Sequence, residues 1–218
     1  MSTSLPIGRG WIAVLVTGVV GGLAGGLFAR AILWVTGAPG AAAVAWRLRS
    51  PVLFAGICGL ALATIGYASG DAVYGTGYAQ VHALIQGQPD VTPWFGVGKW
   101  LANFVSYAAG IPGGIFSPAL AVGAGLGAML APWLPHIAPT AAILLGMSAY
   151  LAGVTQAPLT SAVITMELTD NHEFVLPIIA ACLLGRAFST LLCKTPVYRA
   201  FARRAVEARE RELAAGAV

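Results

Sequence analysis

The chain has 218 residues, 58% hydrophobic and 9% charged, with a formal net charge of +4 and a mean hydropathy of +0.81. Soluble domains carry roughly 25% charged residues, so a water-soluble globule is excluded and an integral membrane protein is implied. The basic excess reports topology and not nucleic-acid binding, because no aromatic side chain lies among the arginines of the C-terminal tail beyond Phe201.

Residues 10–36 form a long apolar segment rich in Gly and Val, and residues 50–68 form a second of about spanning length. Both are predicted as transmembrane helices. Between them Gly37-Ala38-Pro39-Gly40 signals a turn, and Arg30, Arg47 and Arg49 are expected in the connecting segment. The positive-inside rule places that segment on the cytoplasmic side, together with the tail that carries Lys194, Arg199, Arg203, Arg204, Arg209 and Arg211. The first helix then starts outside, after only a few residues and no signal peptide, which is the expectation for one part of a longer or split protein.

After residue 68, Ser69-Gly70-Asp71 and Gly75-Thr76-Gly77 break the chain before an apolar stretch at 78–86 that is too short to span a bilayer. It is predicted as a half-helix. A polar loop through Asp90 leads to an apolar segment at 94–109, ended by Gly110 and Pro112. Further apolar segments at 116–132, 140–154, 157–169, 173–192 and 196–212 are divided by Pro132, Pro135, Pro139, Pro158, Pro177 and Pro196. Several fall short of the ~20 residues of a simple span. Short, Gly/Pro-interrupted segments are how transporters bring helix ends to a site near the bilayer midplane. The fold class predicted is all-α, a polytopic membrane protein with tilted, broken and re-entrant helices, and a transporter or channel in place of a passive anchor.

Cys58, Cys182 and Cys193 lie in or beside apolar stretches without CxxC spacing, which points to free buried thiols. His82, His136 and His172 share no metal-ligand spacing with one another or with the cysteines, so no metal site is expected. Glu167 and Asp170 are acidic residues at a membrane segment, where function is the default reading. Thr169-Asp170-Asn171-His172-Glu173 also reads as a polar turn between helices, which gives both residues a structural role.

Gly110-Ile111-Pro112-Gly113-Gly114-Ile115-Phe116-Ser117-Pro118 precedes an apolar run. Glycines leave successive backbone N–H groups open to a ligand, and the helix start adds about half a positive charge aimed the same way. The stretch is therefore either an anion cradle without a formal cation or a Gly-Pro hinge between two helices. Tyr198 follows Pro196 near a predicted helix start, with Thr195 as candidate cap; alone it reads equally as an interfacial aromatic beside a basic tail.

The Gly-Ile-Phe-x-Pro core at 114–118 resembles the filter motif of the CLC family of chloride channels and chloride/proton antiporters, and the lead-in from Lys99 to Gly113 is similar to that family's preceding stretch. Gln156-Ala157-Pro158-Leu159-Thr160, then Met166-Glu167-Leu168-Thr169-Asp170-Asn171 and Leu176-Pro177, resemble its next signature. Thr195-Pro196-Val197-Tyr198 resembles the start of its last membrane helix. The resemblance runs from about residue 9 to about residue 212 and implies the second of two inverted repeats with the final helix appended: a tail at 1–8, the repeat at 9–195, and the last helix with its basic tail at 196–218.

What the resemblance implies for the site is that the backbone N–H groups of Ile115 and Phe116 donate to chloride, that Gly113, Gly114 and Pro118 form the filter-loop backbone, and that the Tyr198 hydroxyl donates from the other side. Neutral dipoles replace the water shell of a large anion without the deep well a lysine would create, so the ion leaves again. No cofactor is implied; chloride is the transported ligand, and the protein is not an enzyme. Partners implied are the lipid bilayer, a first-repeat half, and a second copy in a homodimer through segments 157–169 and 173–192, whose apolar residues include Ile164, Leu168, Leu176, Ile179, Leu183 and Leu184. The family's Gly-Ser-Gly-Ile-Pro and Gly-Arg-Glu-Gly-Pro segments, which belong to the first repeat and carry a chloride-binding serine and the gating glutamate, do not occur in this sequence. The function implied is chloride transport as half of an antiporter in a bacterial inner membrane, with a passive channel or a non-transporting packing subunit as alternatives.

Overall fold

A computed structural model of the protein describes residues 10–37, 49–88, 91–110, 113–134, 137–169 and 174–216. Among the described residues lie nine α-helices and no strand: α1 (Gly10–Gly37), α2 (Pro51–Ala68), α3 (Tyr78–Ile85), α4 (Phe95–Ala108), α5 (Phe116–Leu130), α6 (Pro139–Thr155), α7 (Pro158–Thr169), α8 (Val175–Leu192) and α9 (Val197–Gly216). A short 3₁₀ turn, Ala131–Trp133, extends α5. Pro51, Pro139 and Pro158 each open a helix, where the missing amide costs nothing and the fixed φ is already helical.

Among the described residues, four stretches are long and apolar enough to cross a membrane: α1, α2, α8 and α5 with its 3₁₀ extension. The half-helix expected at 78–86 is the eight-residue α3. At fourteen and twelve residues, α4 and α7 are also shorter than a span.

The bundle is built around α6, in which every residue from Ala141 to Thr155 is buried. Helices α1, α5 and α8 pack around it. Close approach depends on small residues. A side chain at Gly25 of α1 would come within 2.8 Å of the Tyr150 carbonyl oxygen, and one at Gly127 of α5 within 2.4 Å of the Ala142 carbonyl oxygen. This is the small-residue packing by which membrane helices associate where lipid is as apolar as protein. The buried hydroxyls of Thr17 and Ser189 bond backbone carbonyls, Thr17 Oγ1 donating to Ala13 O at 2.6 Å and Ser189 Oγ to Gly153 O, whereas the buried Tyr150 hydroxyl has no partner among the described residues. By contrast, α2 buries only Phe54 and Gly66.

Three expectations change. Arg30 lies inside α1, exposed, because no proline interrupts that helix before Gly37; the remaining connection at 38–48, with Arg47, is outside the described residues. The last helix continues past residue 212 to Gly216. Of the six apolar residues named on 157–169 and 173–192, Leu168, Leu176 and Leu183 are exposed, but Leu184 fills the space over Gly18 of α1, and Ile164 and Ile179 pack against the core.

Candidate functional site

Two helix starts, distant in the chain, lie side by side. Ile115 occupies the cap position of α5: its carbonyl accepts from the Ala119 amide at 3.0 Å, and its side chain is buried. The same core cluster holds Val197, the first residue of α9. The next residue on each helix repeats the pairing, for the Phe116 and Tyr198 rings stack with centroids 5.8 Å apart and planes 19° apart. Phe116 is 39% and Tyr198 40% exposed, so this stack forms part of the surface.

The Ile115 amide has no backbone acceptor among the described residues. The amides of Phe116 and Ser117 open a helix, where first-turn N–H groups have no intrahelical partner. The structure thus brings Ile115, Phe116 and Tyr198 together. The expected cap does not form: the Ala200 amide donates to Pro196 O at 3.0 Å, which puts Pro196 in the cap position and Thr195 one residue outside the helix.

Gly113 and Gly114 border an open cavity of about 350 Å³, which Thr76, Ser106, Tyr107 and Pro118 also line. A side chain at either glycine would meet nothing within 4 Å, and neither has a left-handed backbone. Among the described residues, nothing in the conformation therefore requires glycine there. Glycine at both positions leaves that space free of side chains.

The loop is held by α4, whose residues four apart share one face. Lys99, 1% exposed, donates through Nζ to the carbonyls of Val73 and Gly75 at 2.6 Å each and so pins the 69–77 turn. One turn on, Asn103 Nδ2 donates to Pro118 O at 3.2 Å. One turn further, the Tyr107 hydroxyl donates to Gly114 O at 2.5 Å, while its ring meets Phe28 of α1 edge-on. A second tie fixes α9. Gln156, in the left-handed region at φ 57°, donates through Nε2 to Cys193 O at 2.6 Å, and Cys193 Sγ–H donates to Thr195 O at 3.2 Å.

Sequence reasoning assigned no role to Asn103, Tyr107 or Gln156. The signal that could have found the first two is a polar side chain at every fourth position, 99, 103 and 107, of a segment in which Ser106 is the one other polar residue. Of the acidic pair, Glu167 is exposed on α7 and Asp170 lies outside the described residues.

The model of the voltage gated chloride channel family matches residues 4–190. The chain belongs to that family. It is 29% identical over 220 aligned residues to the H⁺/Cl⁻ exchange transporter ClcA of Cronobacter sakazakii, covering 96% of this chain and 46% of that protein. It is 32% identical over 180 residues to the ClcA of Klebsiella pneumoniae, covering 79% of this chain and 37% of that one. The fold matches the crystal structure of a CLC-type fluoride/proton antiporter with a TM-score of 0.75 at 22% identity, over 88% of this chain and 47% of that structure. The chain thus spans less than half the length of these relatives. Tyr198 lies beyond the family match at 4–190 but within a chain that the Cronobacter relative covers almost entirely.

Proposed function

We propose that this chain is one half of a chloride/proton antiporter, in which the amides of Ile115 and Phe116 and the hydroxyl of Tyr198 hold a chloride in transit. The observation that carries the reading is the meeting of two helix starts at the Phe116–Tyr198 stack. Helix-start amides with no backbone acceptor among the described residues, and the positive ends of two helix dipoles, meet there, an arrangement that attracts an anion without a fixed cation to trap it. Residues 9–195 form the second repeat, 196–218 the last helix and basic tail, and 1–8 an N-terminal tail. The other wall of the pathway, with a serine hydroxyl and the gating glutamate, comes from a first-repeat half. The chain sits in a bacterial inner membrane with its C-terminus in the cytoplasm, and two copies pair through α7 and α8. Similarity to exchangers, which move protons against chloride, favours antiport over passive conduction.

The test is co-expression with the first half of a related exchanger, reconstitution in liposomes, and simultaneous recording of chloride efflux and internal pH. Chloride efflux coupled to proton uptake, weakened in Tyr198→Phe, is the expected outcome. Efflux without proton movement makes the protein a passive channel, and no flux with any first-half partner leaves it a packing subunit. Residues 1–218 alone are expected to carry no flux; Tyr198-dependent flux from them would require a pathway built from two copies of this repeat.

A further inference from the structure

Resting on the anion site proposed above, we propose that Tyr107 is a positioning residue for it, whose hydroxyl fixes the Gly114–Ile115 peptide so that the Ile115 N–H faces the anion. A trans peptide is planar, with its C=O and N–H pointing in opposite directions. The group Tyr107 holds, Gly114 O, and the group assigned to chloride, Ile115 N–H, are the two ends of one such unit. Whatever pins the carbonyl toward α4 aims the amide away from it.

The unit needs pinning. Its rotation is absorbed by the backbone torsions on either side, and on one side stands Gly114, with no Cβ to resist and open space where one would be. On the other side Ile115 is anchored by its buried side chain, and three residues on Pro118 O is held by Asn103. Without a bond to Gly114 O the peptide plane is free to turn over and present a carbonyl oxygen to the anion, which repels it. The bond does a second thing: a hydrogen bond to a carbonyl polarises the amide and strengthens its N–H as a donor. Tyr107 is well placed to supply it, because its ring is fixed against Phe28 in the core while its hydroxyl reaches the loop.

Tyr107→Phe removes the hydroxyl and keeps the ring. In the complex with a first-half partner, the half-saturating chloride concentration for efflux should rise roughly five- to tenfold, the value of one lost net hydrogen bond. Maximal rate and thermal midpoint should stay at the wild-type values. Tyr67→Phe, the same chemical change at an exposed position on α2, should alter none of these. An unchanged half-saturation in Tyr107→Phe, or a fall in maximal rate alone, overturns the inference: the first means the hydroxyl does not orient the donor, the second that it only supports the fold. If the wild-type complex carries Tyr198-dependent chloride flux and Tyr107→Phe matches it, this inference fails while the proposed function stands. If the wild-type complex carries none, both fall together.

Discussion

Replacing Gln156 separates two opposing contributions at the tie that holds Tyr198. The side chain satisfies the buried carbonyl of Cys193, and leaving such an acceptor unpaired costs about 1–3 kcal/mol. The same residue occupies the left-handed region, which costs a non-glycine residue roughly 1–2 kcal/mol. Gln156→Ala loses the bond and keeps the strain, so it should destabilise the chain by about 2 kcal/mol. Gln156→Gly loses the bond and relieves the strain, so its net loss should be about 1 kcal/mol smaller. The order of stability is then wild type, Gln156→Gly, Gln156→Ala. Thermal unfolding in detergent reads this out: at about 2–4 °C per kcal/mol for a chain of this size, Gln156→Ala should lower the midpoint by roughly 4–8 °C. Because Cys193 also binds Thr195 just ahead of α9, both variants should weaken the Tyr198 contribution to chloride efflux. A Gln156→Ala midpoint equal to wild type, or a Gln156→Gly midpoint below that of Gln156→Ala, would refute the reasoning.

Two further outcomes follow from the same geometry. Ile115→Val should cost about 1 kcal/mol of stability, since the side chain is buried, yet leave chloride half-saturation unchanged because only the amide is used; Gly114→Val should do the reverse, by placing a branched side chain in the open approach. Chloride titration and thermal melts of both variants check the crossover, and equal effects on affinity would count against a backbone donor. If two copies pair through α7 and α8, tryptophan at Leu183, which is 51% exposed, should shift cross-linked dimer to monomer in detergent. That position is a better probe than Ile179, which packs against the core, and an unchanged dimer band places the interface elsewhere.

How much of this was legible beforehand divides along a physical line. Helix limits were readable to within a residue or two for most elements because glycines and prolines punctuate the apolar runs, and backbone conformation is a local property. A glycine-rich turn entering a helix at 110–118 was readable for a related reason: that pattern is contiguous in sequence, although the residues alone left an anion cradle and a Gly-Pro hinge both open. Helix partners were not readable. In a soluble protein an apolar stripe shows which face meets the core, but α2 and α6 are both apolar all round, and only the fold shows that α6 is the buried axis while α2 faces outward. Lipid and protein interior are alike to a leucine, so the sequence carries no contrast between them.

The site divides the same way. For the proposed site, the resemblance of the motif at 114–118 pointed to Ile115 and Phe116, and to backbone amides as the candidate anion donors. That the Phe116 ring stacks on Tyr198, that Tyr107 and Asn103 reach the carbonyls of Gly114 and Pro118, and that Gln156 ties down the turn before α9 were decided by tertiary structure. Each of these contacts joins separate helices or helix ends, and a hydrogen bond between a side chain and a carbonyl on another element leaves no mark on the spacing of either one.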